Sequence, residues 1–249
     1  MKRLVLLHGF GGSPASFETL EHELRPLGPG LLCPALLGHG ATGDRLAPRF
    51  EQEVDRLAGA IDGAGFAGAH LCGYSLGARV ALGLLARHPF LFRGVTLVSV
   101  HPGLASLEER ASRVGSDERW CALLKHGGVH AFSRAWEAQP LFATQARLPL
   151  GARERQRAIR RAHSADGLAR ALRTLGLGQM PDYRGVLRSP SVPVELVVGE
   201  LDDKFVALAQ ELSRHGSGPS LELVPGVGHN VLLEAPMTLA RVLTRALHP

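Results

Sequence analysis

The fold of this chain is constrained most by six short runs of strand-forming residues. Each run is followed by a turn and by helical spacing of apolar residues. Neighbouring parallel strands need a crossover connection, and a helix usually forms it. The alternation therefore predicts an α/β fold built on one parallel sheet. The strands are predicted at residues 4–7, 31–33, 70–72, 95–100, 194–198 and 221–224.

Residues that favour helix termini mark the helices between these strands. Ser13 and Pro14 suit the N-cap and first position of a helix that ends near Arg25, and the pair His88-Pro89 ends another. Apolar spacing predicts the remaining helices of the core. They are expected at residues 51–64, 76–87, 204–215 and 236–247.

Residues 102–188 differ from the rest of the chain in pattern and in charge. They contain several amphipathic helical stretches and no convincing strand, so we predict a helical cap here, inserted into a core of residues 1–101 and 189–249. Residues 101–188 hold 15 Lys and Arg against 8 Asp and Glu, whereas the rest holds 13 against 15. This segment lacks the Lys/Arg run with interleaved aromatic residues that a nucleic-acid surface shows. The charge therefore favours a small anionic ligand over a nucleic acid.

Cysteine spacing and the first residues indicate the compartment. Cys33, Cys72 and Cys121 are unevenly spaced and form no CxxC pair, so we expect three buried thiols, without a disulfide framework or a metal site. The apolar run after Met1 lacks the length and cleavage site of a signal peptide, and no run approaches the roughly 20 residues of a membrane span. We expect a cytoplasmic monomer or weak homo-oligomer without a membrane partner.

The sequence GYSLG at residues 73–77 matches the G-x-S-x-G nucleophile elbow, with a predicted strand before it and a helix after it. A serine hydroxyl needs a histidine to take its proton and an acid to orient that histidine. In this fold the order along the chain is serine, acid, histidine. We therefore predict a triad of Ser75, Asp202 and His229, with Asp203 as the alternative acid. Most of the other histidines are expected at the surface.

Two glycine-rich loops follow the first two strands. An oxyanion hole needs one backbone N–H from the loop HGFGG, at residues 8–12, and one from the residue after the serine. The donors are predicted to be Phe10 and Leu76. The second loop, Gly38-His39-Gly40, is interpreted as loop geometry rather than chemistry.

Together these features resemble the α/β-hydrolase fold over essentially the whole chain. That fold usually opens with two further strands, but here the HG loop already lies at residue 8. The resemblance therefore implies about six strands, all parallel, without the leading hairpin. A second departure is ALLGHG at residues 35–40, where the family typically has D-x-P-G-x-G.

Smaller motifs resemble one subfamily, the menaquinone-pathway 2-succinyl-6-hydroxy-2,4-cyclohexadiene-1-carboxylate synthases. They are YSLGAR at 74–79, HPGL at 101–104 with Arg110 and Arg113 downstream, WEAQPLF at 136–142 and GELDDKF at 199–205. They occur in the same order in core and cap. The resemblance implies a lyase that expels pyruvate from a cyclohexene carrying several carboxylates, with no metal and no organic cofactor.

The same resemblance implies a set of substrate-binding residues. Arg79 lies in the first turn of a helix, where the macrodipole disfavours a cation, and a bidentate bond to a substrate carboxylate would outweigh that cost. The other implied pocket residues are Tyr74, Arg113, Trp136, Arg160 (or its neighbour Arg161) and Lys204. Structural alternatives stay open for each: an ion pair to a neighbouring helix for Arg79, solvent exposure for the other cations, and packing for the two aromatic residues.

Three functions remain in competition. In the lyase, His229 held by Asp202 would let Ser75 remove a ring proton, after which the enolpyruvyl group leaves as pyruvate. A carboxylesterase or C–C hydrolase would use the same triad through a covalent acyl-serine. A non-enzymatic ligand receptor is the third interpretation. Only the pocket charges separate the first from the second.

Overall fold

The structure is a computed structural model that describes residues 2–42, 45–214 and 218–248. These residues form one sheet of six strands, all parallel, in the order β2-β1-β3-β4-β5-β6. The strands are β1 (Arg3–Leu7), β2 (Gly30–Leu32), β3 (Ala69–Tyr74), β4 (Phe92–Val98), β5 (Val194–Gly199) and β6 (Ser220–Val224). The α/β-hydrolase prediction and its six parallel strands are confirmed.

The helices alternate with these strands. They are α1 (Glu18–Leu24), α2 (Phe50–Gly63), α3 (Leu76–Arg87), α4 (Leu107–Glu137), α5 (Leu150–Arg161), α6 (Ala165–Leu175), α7 (Arg184–Arg188), α8 (Asp203–Ser213), α9 (Val231–Glu234) and α10 (Pro236–Leu247). A 3-10 turn at Pro14–Phe17 leads into α1, with Pro14 at its first position as expected. Gly128 breaks α4, because its φ of 70° is not helical. The predicted end of α8, His215, lies outside the described residues.

Alternation along each strand divides the core into two layers. In β1, Val5 and Leu7 pack into the layer formed with α2, α3 and α8, whereas Leu4 and Leu6 pack into the layer formed with α1 and α10. Successive strand side chains point to opposite faces, so a strand buried on both faces reads as a continuous apolar run. This burial explains why the strands were recognisable in the sequence.

Helices α4 to α7 connect β4 to β5 and lie over the carboxyl edge of the sheet. They share a small core of their own around Leu124, Phe132 and Leu168. Phe10, in the loop after β1, packs on Phe132 and Trp136 at ring-centroid distances of 5.9 and 5.0 Å. The connecting helices therefore cover the strand ends at which the candidate site residues lie.

One expectation about buried side chains is wrong. Cys72 and Cys121 are buried, but Cys33 is only partly buried and its thiol donates to Glu21 at 3.3 Å. Of the ten other histidines in the described residues, six are not buried, in line with the expectation, and four are. Besides His229, the buried histidines are His8, His39, His70 and His163. At least one ring nitrogen of each bonds to a backbone group or, for His70, to a threonine hydroxyl, which offsets part of the cost of burial, whereas Nε2 of His163 has no partner.

No helix within the described ranges has the length and apolar character that crossing a membrane requires.

Candidate active site

Ser75 occupies a sharp turn between β3 and α3. Its φ of 51° and ψ of −106° lie outside the regions that L-residues favour. The flanking glycines allow this turn: a Cβ on Gly73 would lie 2.4 Å from the carbonyl oxygen of Gly77, and one on Gly77 would lie 2.0 Å from that of Leu7. Backbone strain of this kind persists where the surrounding structure enforces it. The turn presents Ser75 at the carboxyl edge of the sheet.

His229 bridges Ser75 and Asp202. Its Nε2 lies 3.1 Å from Oγ of Ser75, and its Nδ1 lies 2.6 Å from Oδ2 of Asp202. Asp202 follows β5 and is buried, and His229 follows β6 and is buried too. Asp203, the alternative acid, is exposed at the start of α8. The structure therefore brings the three predicted residues together in the order of a serine–histidine–acid relay.

Ser99 supports His229, although no sequence motif pointed to it. It follows β4, and its Oγ–H donates to the carbonyl oxygen of His229 at 2.8 Å. Apart from Ser75, Ser99 is the non-glycine residue with positive φ in the described residues, again at 51°. The predicted strand at residues 95–100 therefore stops at Val98. No sequence signal marked Ser99, because a serine after a strand is common and does not by itself indicate a role.

The predicted oxyanion donors lie beside Ser75. Within the described residues, the backbone N–H groups of Phe10 and Leu76 have no protein acceptor. Leu76 is the first residue of α3, and the first N–H groups of a helix have no partner within it. The loop that carries Phe10 is held by Gly12 N–H, which donates to Gly9 O at 3.0 Å, and by Gly11 N–H, which donates to Nε2 of His39 at 2.9 Å.

Two cavities meet at Ser75 and share walls formed by Phe10, Trp136 and Phe142. The larger cavity, about 600 Å³, lies towards α3 and α4, and the smaller cavity, about 310 Å³, lies towards α1 and α5. The larger cavity is also lined by Leu76, Arg79, Ser99, His101, Arg113, Trp120 and His229. The smaller cavity is also lined by Gly9, Gly11, Tyr74, Arg155, Gln156, Arg160 and Asn230.

Arg79 is a partly buried cation in the wall of the larger cavity. Its guanidinium donates to the carbonyl oxygen of Leu175 at 2.7 Å, and no carboxylate in the described part of the chain lies within salt-bridge distance. Burial, and next the charge of Arg113, lower the pKa of Arg79 to about 9, although Asp117 opposes this. Arg79 is therefore still charged at pH 7. The ion pair to a neighbouring helix, the structural alternative, is not formed.

Two further residues complete the electrostatics of the larger cavity. Arg113 bonds Asp117 at 2.9 Å, and burial raises the pKa of that carboxyl. His101 accepts a hydrogen bond at Nδ1 from Gly103 N–H at 3.2 Å. Burial lowers the pKa of His101 to about 4, with further contributions from nearby cations, Lys204 first among them. His101 is therefore neutral at pH 7, and the positive charge of the cavity comes from its arginines.

Arg160 lines the smaller cavity, whereas its neighbour Arg161 does not. Arg160 is 3% exposed and bonds Glu137 at 2.6 Å, and Arg157 bonds the same carboxylate at 2.7 Å. Burial lowers the pKa of Arg160, and its Nε has no hydrogen-bond partner. The Nη1 atom of this guanidinium therefore has a carboxylate partner, whereas its Nε–H has no acceptor.

The remaining predicted pocket residues are placed differently from one another. Tyr74 is buried in the wall of the smaller cavity, where burial raises the pKa of its hydroxyl. Trp136 borders both cavities and also packs on Trp120 at 5.0 Å, so it is both wall and core. Lys204 is exposed and borders neither cavity. Its charge nevertheless reaches His101.

Across the described ranges, no three His, Cys, Asp or Glu side chains gather in a metal-binding arrangement. His8 and His39 bond to the backbone through both ring nitrogens, at Gly9 and Leu36 for His8 and at Leu37 and Gly11 for His39.

Comparison with known proteins adds to this geometry. The profile of the Alpha/beta hydrolase family matches residues 4–242. A protein of Enterobacter sp. (strain 638), named 2-succinyl-6-hydroxy-2,4-cyclohexadiene-1-carboxylate synthase, is 32% identical over 98% of this chain and 91% of its own length. Its namesake from Citrobacter koseri is 31% identical over 98% of this chain and 93% of its own. The structure of MenH from S. aureus superimposes with a TM-score of 0.91 at 27% identity, covering 99% of this chain and 93% of that one.

Proposed function

We propose that this chain, which belongs to the 2-succinyl-6-hydroxy-2,4-cyclohexadiene-1-carboxylate synthases of the alpha/beta hydrolase family, eliminates pyruvate from an enolpyruvyl-cyclohexene polycarboxylate. Its family membership makes it an enzyme, a lyase of menaquinone biosynthesis. One observation carries the proposal. Ser75, hydrogen-bonded to His229, opens onto a cavity in which Arg79 lacks a carboxylate partner. A proton-abstracting group and an uncompensated cation are what this elimination from an anionic substrate needs.

The proton transfer follows the hydrogen bonds of the triad. Oγ of Ser75 takes a proton from a ring carbon while its own proton passes to Nε2 of His229, and Asp202 stabilises the imidazolium at Nδ1. The electrons of the broken C–H bond form a new double bond in the ring. The C–O bond to the enolpyruvyl group then breaks, and its electron pair leaves with the enolpyruvyl oxygen. The departing enolpyruvate takes the proton from the imidazolium of His229 and leaves as pyruvate, which restores the triad. Ser75 thereby acts as a base and forms no acyl-enzyme.

The charge that develops in this step needs fixed donors. The backbone N–H groups of Phe10 and Leu76 are proposed to form the oxyanion hole, since neither has another acceptor in the described residues. Arg79 and Arg113 would bind carboxylate groups in the larger cavity, and Arg160 would bind one in the smaller cavity. Tyr74 and Trp136 would form the walls, and Lys204, which borders neither cavity, would contribute only its charge.

The helical segment of residues 102–188 is proposed to act as a cap. It contributes Arg113, Trp136 and Arg160 to the cavity walls, whereas the core contributes the triad. A site enclosed in this way excludes water, which strengthens the interaction of its arginines with an anion. The proposed partner is the small polycarboxylate alone.

A coupled assay tests the proposal. The enolpyruvyl substrate is generated in situ by the upstream synthase, and pyruvate release is followed with and without this protein. We expect acceleration above the spontaneous rate, and Ser75→Ala is expected to reduce kcat by about 10³-fold or more, as loss of a triad member does. Ser213→Ala, at the far end of α8, is the matched control and should retain full activity.

The outcome also separates the lyase from the serine hydrolase. Turnover of p-nitrophenyl esters with a burst, and no acceleration of pyruvate release, would overturn the lyase assignment and identify an acyl-serine mechanism. Pyruvate release that survives Ser75→Ala would instead show that another group removes the ring proton.

A further inference from the structure

Three buried histidines lie in a row beneath the loop of residues 9–12. His8 and His39 have ring centroids 4.9 Å apart, and His39 and His163 have centroids 5.1 Å apart. The triad does not use any of them. Burying three imidazoles beside an active site is costly unless their nitrogens are bonded, so their partners show what they hold.

His39 holds the loop directly. Its Nε2 accepts from Gly11 N–H at 2.9 Å, so the proton must be on Nδ1, which donates to Leu37 O at 3.0 Å. Gly11 has a φ of 68° and follows Phe10, whose ring also packs on His39 at 5.5 Å. The His39 imidazole therefore holds Phe10 in two ways, through the N–H of the next residue, Gly11, and through the Phe10 ring.

His163 extends this contact to the helical segment. It lies between α5 and α6, and its Nδ1 accepts from Gly40 N–H at 3.0 Å, one residue after His39. The loop at residues 38–40 packs closely on α6, since a Cβ on Gly38 would lie 2.1 Å from the carbonyl oxygen of Gly167. The loop that holds Gly11 is therefore itself held by the helices that cover the site.

We propose that His39 and His163 are positioning residues that set the Phe10 N–H and make its placement depend on how the helical segment packs over the site. For its effect on pyruvate release, this inference rests on the proposed function, in which the Phe10 N–H is an oxyanion donor. The geometry itself does not depend on the reaction. It consists of four hydrogen bonds donated by backbone N–H groups: Leu36 to His8, Gly11 to His39, Gly40 to His163, and Gly12 to Gly9 O.

The neutral state of the rings is part of this arrangement. Burial lowers the pKa of His39 well below its usual value and lowers that of His163 too. Protonated rings would turn an N–H toward the N–H groups of Gly11 and Gly40, which need acceptors. Burial therefore favours the one protonation state in which each imidazole can hold the loop.

Paired substitutions separate positioning from packing. His39→Leu removes the acceptor and keeps an apolar side chain, whereas His39→Gln keeps an acceptor near the position of Nε2. His163→Leu and His163→Asn form the same pair for Nδ1. His70→Leu is the control, because His70 is equally buried but lies in β3 and bonds Thr96 at 2.8 Å, away from the loop.

Two rates are measured for each variant, pyruvate release and the reaction of Ser75 with a fluorophosphonate. The second reaction forms the Oγ–P bond, expels fluoride and gives the proton to His229, so it needs the oxyanion donors whatever the natural substrate is. We expect His39→Leu to lower kcat and the fluorophosphonate rate on the order of 10²-fold, as a displaced catalytic donor does, with KM changed less than about twofold. His163→Leu should have a smaller effect in the same direction.

The conservative variants and the exchange rate of the Gly11 amide decide the interpretation. His39→Gln should recover most of the rate, and His39→Leu should speed hydrogen exchange at Gly11 while His70→Leu does not. Equal loss in His39→Gln and His39→Leu, or unchanged exchange at Gly11, would overturn the inference. A wild-type protein that reacts with the fluorophosphonate but releases no pyruvate would overturn the proposed function only, and the variants would still test the positioning role.

Discussion

The two cavities that meet at Ser75 differ in how their arginines are compensated. In the larger cavity, the guanidinium of Arg79 donates to a backbone carbonyl and pairs with no carboxylate of the described residues, and in the smaller cavity, Arg160 bonds the carboxylate of Glu137 at 2.6 Å. Burial disfavours the charge of both guanidinium groups and lowers the pKa of each. The same residue type therefore presents a nearly free charge on one side of the serine and a paired charge on the other.

This difference indicates which end of a substrate each cavity receives. An unpaired buried cation is unfavourable until an anion arrives, so the larger cavity gains most from a carboxylate. The smaller cavity is already neutralised in part and is better suited to orient a group than to attract it. Three predictions test this contrast, the first with the largest expected effect.

Replacing Arg79 by Met should abolish the strong anion binding of the larger cavity. A hydrogen bond to a charged group contributes about 1.5–3 kcal/mol, so kcat/KM for the polycarboxylate should fall about tenfold to hundredfold. The measurement is pyruvate release as a function of substrate concentration. Arg173→Met, which removes an exposed cation paired with Glu118, is the charge-matched control and should change little.

Equal losses in both variants would mean that only the overall charge attracts the substrate. A loss confined to Arg79→Met would place a direct carboxylate contact at this guanidinium. Stability must be compared as well, because Arg79→Met removes a buried charge and should leave the thermal midpoint unchanged or raised.

Replacing Glu137 by Gln makes the two cavities more alike. Arg160 would lose its counter-charge but keep a hydrogen-bond acceptor, so we expect stability to fall by on the order of 2 kcal/mol. We expect kcat/KM to change less than tenfold, since the carboxylate bound by Arg79 is untouched. Thermal unfolding and steady-state kinetics give both numbers. Glu118→Gln, which breaks an exposed ion pair, is the control.

A loss of kcat/KM as large as that of Arg79→Met would contradict the contrast. It would mean that the pairing of Arg160 with Glu137 is as important for substrate binding as the free charge of Arg79.

The smallest effect is expected at His101, which reports the field of the larger cavity. Its pKa is held at about 4 by burial first and by nearby cations that include Arg79, so Arg79→Met should raise it. His8 also has a pKa of about 4, but burial, the Gly9 carbonyl and His163 determine it. Titration of the histidine ring signals by NMR compares them in one sample. A shift at His8 equal to that at His101 would show a general loosening of the structure instead.

Much of the fold could be read from the sequence because its physical causes are local. Strands buried on both faces need continuous apolar runs, and the runs near residues 4–7 and 194–198 are of that kind. The nucleophile elbow needs Gly73 and Gly77 because no side chain fits at either position. The order of Ser75, Asp202 and His229 along the chain follows from strand order in this fold.

The histidines show where local reasoning stops. His39 sits in a short glycine-rich loop, and nothing in Gly38-His39-Gly40 distinguishes a solvent-exposed ring from one that accepts a hydrogen bond from Gly11. Its partner His163 is 124 residues further along the chain, a separation that no periodicity records. Ser99 was missed for the same reason, since its contact to His229 joins two strand ends that are distant in sequence.

The sequence by itself determined the parallel α/β sheet and the residue types available for a triad, because apolar patterning and steric limits act on neighbouring residues, and its resemblance to the α/β-hydrolases implied the six strands. Only the tertiary structure decided the environment of each charge. Arg79 is left without a carboxylate, Arg160 is paired with Glu137, and Lys204 stays at the surface. Coulombic interactions depend on distance through space and on burial, and both are set only when separate helices and strands pack together.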